Sequence, residues 1–206
     1  MYRTLARSFA VASTLAAMLP AASQAQHLTG PTPSAVPAPV QLDTTGMFQG
    51  QFVKFGDDVF VGGQPTQRAL RELKAQGVTT VVNLRSPQEM AAISFDEAAL
   101  VKSLGMKYVY LPMRGTAELP YSPAAVKSLA TAMKEADGKL LLHCTVAWRA
   151  SHLWAAYLIQ ERQLPVETAL TYTRAVNLMD DMRMGDGKQP LEMFLGRDIP
   201  QMGHPR

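Results

Sequence analysis

The stretch KLLLHC, residues 139–144, constrains this chain more than any other. Its three consecutive leucines do not alternate with polar residues. A strand of that kind is buried on both faces, as in a parallel sheet covered on each side. A helical apolar pattern follows over RASHLWAAYLIQERQ, residues 149–163. The chain therefore turns from a central strand into a helix within a few residues of Cys144.

The rest of the sequence fits the same alternation. QFVKFGDDVFVGGQP reads as two short strands around a Gly-Asp-Asp turn. Thr66 caps a helix over QRALRELKAQG, which Gly77 stops. VTTVVNL and KYVYLP are strands, and FDEAALVKSLG is a short helix ending at Gly105. SPAAVKSLATAMKEADG is a helix with Ser122 as N-cap and Pro123 in its first turn. PVETALTYTRAVNLM forms another helix, packed on the one after Cys144, and PLEMFLG forms one last helical turn. Strands alternating with helices predict an α/β class: a single domain with a mostly parallel central sheet flanked by helices. Binding sites in such sheets lie beyond the carboxyl ends of the strands, where Cys144 sits.

The ends of the chain read differently. MYRTLAR is a basic start, an apolar run follows, and Ser23 and Ala25 supply the small residues of a cleavage site. Residues 1–25 are thus expected to be an export signal, cleaved near Ala25. The apolar run is shorter than the roughly 20 residues that span a bilayer, so no stable membrane insertion is expected after cleavage. Residues 26–43 are proline-rich and read as a linker, 44–180 as the domain, and 181–206 as a C-terminal tail. The expected location is periplasmic or secreted. The formal charge of +3 includes Arg3 and Arg7, and about +1 remains without them. That balance gives no reason to expect nucleic acid as a partner. His27 and His204 lie near the ends, so no metal-ligand cluster is expected, and the residues require no cofactor.

Export sharpens the meaning of Cys144, the one cysteine of the chain. Exported proteins usually pair their cysteines. A retained single thiol is either deeply buried or chemically useful. If the chain turns helical near Arg149, the amides of Thr145, Val146, Ala147 and Trp148 can converge on an oxyanion, and Arg149 can close the cradle. The same field favours a thiolate. One geometry then both binds a tetrahedral anion and activates a nucleophile. The other reading is a buried cysteine beside a surface arginine. Trp148 either walls such a pocket or plugs the core beneath the loop. His152 reads as a packing residue. Asp96 and Glu97 read as first-turn residues that favour the helix dipole.

HC at the end of an apolar strand, then a loop and an arginine opening a helix, resembles the signature of cysteine-dependent protein tyrosine and dual-specificity phosphatases. VFVGGQPTQRALRELKAQGVTTVVNLRSPQE resembles the N-terminal part of a bacterial branch of that superfamily. That branch includes β-lactamase-hydrolase-like domains and domains fused to NAD kinases. The resemblance spans roughly residues 51–178. It implies a phosphatase α/β sandwich acting on a phosphomonoester of a small molecule or protein. Cys144 is then the nucleophile that forms a phosphocysteine, and Arg149 with the loop amides holds the phosphoryl oxygens. It further implies that His143 tunes the thiolate, that Arg85 faces the same pocket, and that an acid from another loop protonates the leaving group. The matching loop, LPMRGTAELPYSP, offers Glu118 as its one carboxylate.

The sequence departs from that pattern in three places. Four residues separate Cys144 from Arg149 where the signature has five. Ala147 stands nearest the usual mid-loop glycine, in a place where a cradle needs positive φ or close approach of the backbone. Ala150 follows the arginine where Ser or Thr is usual, with Ser151 one further on. The shorter ring is nearer in size to that of rhodanese-type sulfurtransferases, so sulfur-transfer or thiol-redox chemistry is an alternative. A further alternative is an inactive module that binds an anion or a partner.

Overall fold

The structure is a computed structural model that describes residues 36–43, 45–179 and 181–200. The expected export signal lies outside the described residues. So do the first part of the linker and the last six positions of the chain.

Strands β1 (Pro39–Gln41), β2 (Phe52–Phe55), β3 (Val59–Gly62), β4 (Val78–Asn83), β5 (Lys107–Tyr110) and β6 (Lys139–His143) form one sheet in the order β1-β2-β3-β6-β4-β5. The first three pair antiparallel, while β6 runs parallel to both β3 and β4, and β4 parallel to β5. The expected class therefore holds: an α/β domain with a mostly parallel sheet. The KLLLHC strand is interior, as its unbroken apolar run requires. Leu140 and Leu142 face one core and Leu141 the other.

Helices cover both faces. Helix α1 (Gln67–Ala75) and α3 (Glu97–Ser103) lie over the Leu141 side, with Leu70, Leu73 and Val101 buried against Phe60 and Val81. Thr66 caps α1 as expected, its hydroxyl accepting from the Ala69 amide at 3.2 Å. The short α2 (Pro87–Ala91) is an element that apolar periodicity did not indicate, since it buries no residue. It exists because Ser86 and Glu89 form a capping box. Helix α4 (Pro123–Glu135), α5 (Trp148–Gln160) and α6 (Val166–Arg174) lie over the other face. Every residue of α5 from Arg149 to Ile159 is buried, so its apolar character all round is that of a central helix.

Two expectations about the ends change. Residues 39–41 of the expected linker are strand β1, paired along β2. The expected tail from residue 181 includes helix α7 (Pro190–Leu195), which packs against α4 and α5 and buries Leu191 and Phe194 completely. Six residues gave too short a period for the sequence to reveal that packing.

The corner after β3 brings the N-terminal segment under the Cys144 loop. The Gly63 amide donates to Gln51 at 3.0 Å, the Gln64 amide donates to the Thr145 carbonyl at 2.9 Å, and Gly63 bridges Val146. A Cβ at Gly63 would lie 1.5 Å from the Gln49 carbonyl oxygen and 2.9 Å from that of Thr145. Backbone occupies the space that any side chain needs. Gly63→Ala is therefore expected to destabilise the protein by about 3 kcal/mol or more, because the clash is with main chain rather than a flexible side chain. Urea denaturation of the two proteins side by side checks this, and a loss under 1 kcal/mol contradicts it.

Candidate active site

Strand β6 delivers Cys144 to the end of the sheet, where its amide still bonds the Gly62 carbonyl at 3.3 Å. The next residues form a short loop pinned on two sides. The Thr145 carbonyl accepts from Gln64, and the Val146 carbonyl accepts from Asn177 Nδ2 at 2.6 Å. Ala147 then takes φ +67° and ψ −6°, the left-handed one of the two possibilities raised for this position, and α5 starts at Trp148. The four-residue loop thus closes with one left-handed residue as its corner.

Cys144 lines a cavity of about 320 Å³ together with Glu89, Thr145, Val146, Trp148 and Arg149. Arg149 is 7% exposed, and its guanidinium gathers four groups. Nη1 donates to the Met113 carbonyl at 2.8 Å, to Glu89 Oε2 at 2.9 Å and to the Leu84 carbonyl at 3.2 Å. Nη2 donates to Glu89 Oε1 and to Thr145 Oγ1. Thr145 in turn donates its hydroxyl to Glu89 Oε1 at 2.7 Å. The expected anion clamp is therefore already bonded to a carboxylate of the protein itself.

Glu89 is the site residue that sequence reasoning missed. Its signal was the Ser86-x-x-Glu89 capping box inside NLRSPQE. Glu89 Oε2 accepts from the Ser86 amide at 2.8 Å, so one carboxylate both caps α2 and holds Arg149. Partial burial pushes the Glu89 carboxyl up. Hydrogen bonds from Arg149, the Ser86 amide and Thr145 outweigh that and bring it down to about 2. Burial likewise opposes the Arg149 charge, and Glu89 and Cys144 more than restore it.

A second polar cluster lies beneath the loop. His143 is fully buried and does not line the cavity. Its Nε2 lies 3.0 Å from Glu97 Oε1, and its Nδ1 lies 3.3 Å from the Cys144 carbonyl. Glu97 is also no dipole-facing surface residue, since it is 1% exposed. It accepts from Gln64 Nε2 and from Asn83 Nδ2 as well. Burial opposes its charge, and His143 with these donors holds its carboxyl below the usual range. Asp96 is the N-cap of α3, accepting from Ala99 at 2.9 Å.

Arg85 joins that cluster rather than the cavity wall: it donates to Gln64 Oε1 and to the Glu89 carbonyl. Glu118 is exposed on the loop after β5 and lines a separate cavity with Gln88, Arg114 and Thr116. Hydrogen bonds from its own amide and the Thr116 hydroxyl lower its carboxyl. Ser151 donates to the Trp148 carbonyl at 2.7 Å, and His152 Nδ1 lies 2.8 Å from the same oxygen. Trp148 meets both readings, lining the cavity while packing against Tyr121 and His152 at ring distances of 6.4 and 4.8 Å.

A buried strand-end cysteine and an arginine on the helix behind it, in a mostly parallel α/β sheet, define a cysteine-dependent phosphatase-like protein. Residues 47–188 match the family model of dual-specificity and protein tyrosine phosphatases fused to NAD+ kinase, and the chain belongs to that family. A search of curated proteins finds no match. Among solved structures, a putative phosphatase (DUF442) from Shewanella putrefaciens is 25% identical, with a TM-score of 0.55, over 78% of this chain and 97% of that one. P. aeruginosa TpbA in complex with pTyr is 18% identical, with a TM-score of 0.57, over 81% and 94% of the two chains. PTPMT1 in complex with PI(5)P is 17% identical, with a TM-score of 0.54, over 68% and 90%.

The depressed Glu89 carboxyl gives stability that is fully present above the ordinary carboxylate value of 4.5 and is lost as pH falls toward about 2. Glu89→Gln is expected to cost about 1–2 kcal/mol at pH 7, a figure reduced for the solvent that reaches the carboxylate. The gap between the two proteins should close as pH falls to about 2. Urea melts from pH 7 to pH 2 measure it, and a gap independent of pH contradicts the assignment.

Proposed function

We propose that this chain is an exported phosphatase that hydrolyses a phosphomonoester through a phosphocysteine at Cys144. The observation that carries the reading is Cys144 and Arg149 sharing one cavity at the strand–helix junction, within the segment that matches the phosphatase family. The phosphoryl group sits above Cys144, toward the N-terminus of α5, whose dipole favours negative charge there. Arg149 keeps Nε–H, which has no protein partner among the described residues, for a phosphoryl oxygen. The Cys144 thiolate attacks phosphorus as the P–O bond to the leaving group breaks. That oxygen leaves with the bonding pair and takes a proton. Water then attacks the phosphocysteine, and inorganic phosphate departs as the thiolate re-forms. The ligands in the two similar complexes, pTyr and PI(5)P, each carry a phosphomonoester, which supports this reading.

We assign the proton donor to Glu118, brought in by movement of the loop after β5. A phosphate with a poor leaving group needs that proton, whereas para-nitrophenolate leaves without it. Glu118→Gln is expected to lower kcat on phenyl phosphate by about 10²-fold and to change para-nitrophenyl phosphate turnover less than about threefold. Equal effects on both substrates remove Glu118 from this role. Cys144→Ser is expected to abolish hydrolysis of either substrate, and a chain with intact Cys144 that releases no phosphate sinks the phosphatase reading.

The second reading is an inert anion-binding module, favoured by one observation: the Arg149 guanidinium already holds Glu89. It predicts phosphate binding that depends on Arg149 without turnover, and the same assays separate the two. Persulfide formation at Cys144 after thiosulfate treatment is the mark of the sulfur-transfer alternative raised by the short loop.

A further inference from the structure

The cavity at Cys144 is lined by side chains of two kinds. Glu89, Thr145, Arg149 and Asn177 are polar. Val146, Trp148, Met179 and Met182 are apolar. Among the described residues, five large hydrophobic side chains are exposed, and three of them, Val146, Met179 and Met182, ring this one cavity. Single exposed apolar residues are ordinary on a protein surface, but their concentration at the mouth of a site is not.

The two methionines sit on a segment that is fastened on either side of them. Asn177 donates to the Val146 carbonyl of the nucleophile loop at 2.6 Å. Met184 packs against Gly115 of the loop after β5, where a Cβ would come within 2.6 Å of its methyl. Between these ties Met179 and Met182 are 42% and 44% exposed. The cation lining the cavity is Arg149, which Glu89 already neutralises. Among the described residues, the lining thus offers one cation beside apolar side chains and no second cation.

We propose that Met179 and Met182 are specificity-determining residues: they form the wall against which the leaving group packs. They select a single phosphate carried on a flat apolar group over one carried on a small or polyanionic group. Thioethers suit this task, because the unbranched side chain adapts its shape and the polarisable sulfur contacts aromatic rings favourably. The proposal deepens the phosphatase reading and rests on phosphate entering above Cys144.

The test is a binding measurement on the full chain carrying Cys144→Ser, by calorimetry, with 2-naphthylphosphonate and methylphosphonate as probes. The chain with both methionines is expected to bind the naphthyl probe at least about tenfold more tightly. Adding Met179→Gln and Met182→Gln should reduce that preference to about threefold or less, with methylphosphonate affinity changed less than twofold. Both side chains are nearly half exposed, so the fold should survive, and a melting curve verifies it. A naphthyl preference that persists in the double substitution overturns the proposal. So does a chain that binds the two probes equally. Binding of neither probe overturns it together with the phosphatase reading. A methionine-dependent preference in a protein that turns over no aryl phosphate supports the wall and removes only the hydrolytic assignment.

Discussion

The Arg149–Glu89 pair holds the site together. One guanidinium joins the N-terminal turn of α5, the carbonyl of Leu84 beyond β4, the carbonyl of Met113 beyond β5 and the cap of α2. Those groups come from four parts of the chain, two of which, the ends of β4 and β5, are also joined through the Met113 amide and the Leu84 carbonyl at 3.2 Å. A charge this deeply placed is stable only while it is paired, since removing one partner of a buried pair strands the other. Bidentate geometry also fixes direction, which a lysine does not do. The cavity floor is therefore as rigid as this single contact.

That contact also sets the electrostatics. Glu89 cancels much of the Arg149 charge, so Arg149 alone is a weak source of positive potential for a thiolate or a phosphoryl group. The remaining sources are the amides at the start of α5 and its dipole. Ala147 is what aims them, because its left-handed conformation turns the chain from the strand into the helix. An alanine there carries roughly 1–2 kcal/mol of strain. Its methyl is fully buried, which returns about 0.8 kcal/mol, and it is stiffer than glycine in the unfolded chain by about 0.5–1 kcal/mol. The terms nearly offset, so the position does not need the glycine that the family pattern led one to expect.

Much of this was legible in the sequence because the signals were local. An unbroken apolar strand, helix stops at Gly77 and Gly105 and the Thr66 cap gave the alternation and put Cys144 at a strand end. The hidden part was long-range. GGQP, NLR and HC read as separate motifs, yet Gln64, Asn83, Arg85 and His143 meet in one buried cluster around Glu97. No spacing rule joins residues 64, 97 and 143. Glu97 follows an N-cap, so its pattern is that of an ordinary first-turn carboxylate. Glu89 was masked in the same way by its capping role. PLEMFLG announced the helical turn of α7, but its packing into the core and the Met179–Met182 segment were missed, because a single turn and an irregular stretch have no period to read.

The buried cluster explains why the two halves of the domain must fold together. Gln64 comes from the corner after β3, Asn83 and Arg85 from the end of β4, Glu97 from α3 and His143 from β6. Each is an expensive group to bury alone, and each is satisfied only when the others are in place. Loss of any member leaves unpaired polar atoms directly under the Cys144 loop, whose carbonyls are tied to the same residues through Gln64 and His143. The position of Cys144 is thus coupled to a network of strand ends rather than to the loop's own sequence. A loop one residue shorter than the usual phosphatase signature can therefore still present Cys144 and Arg149 to the same cavity.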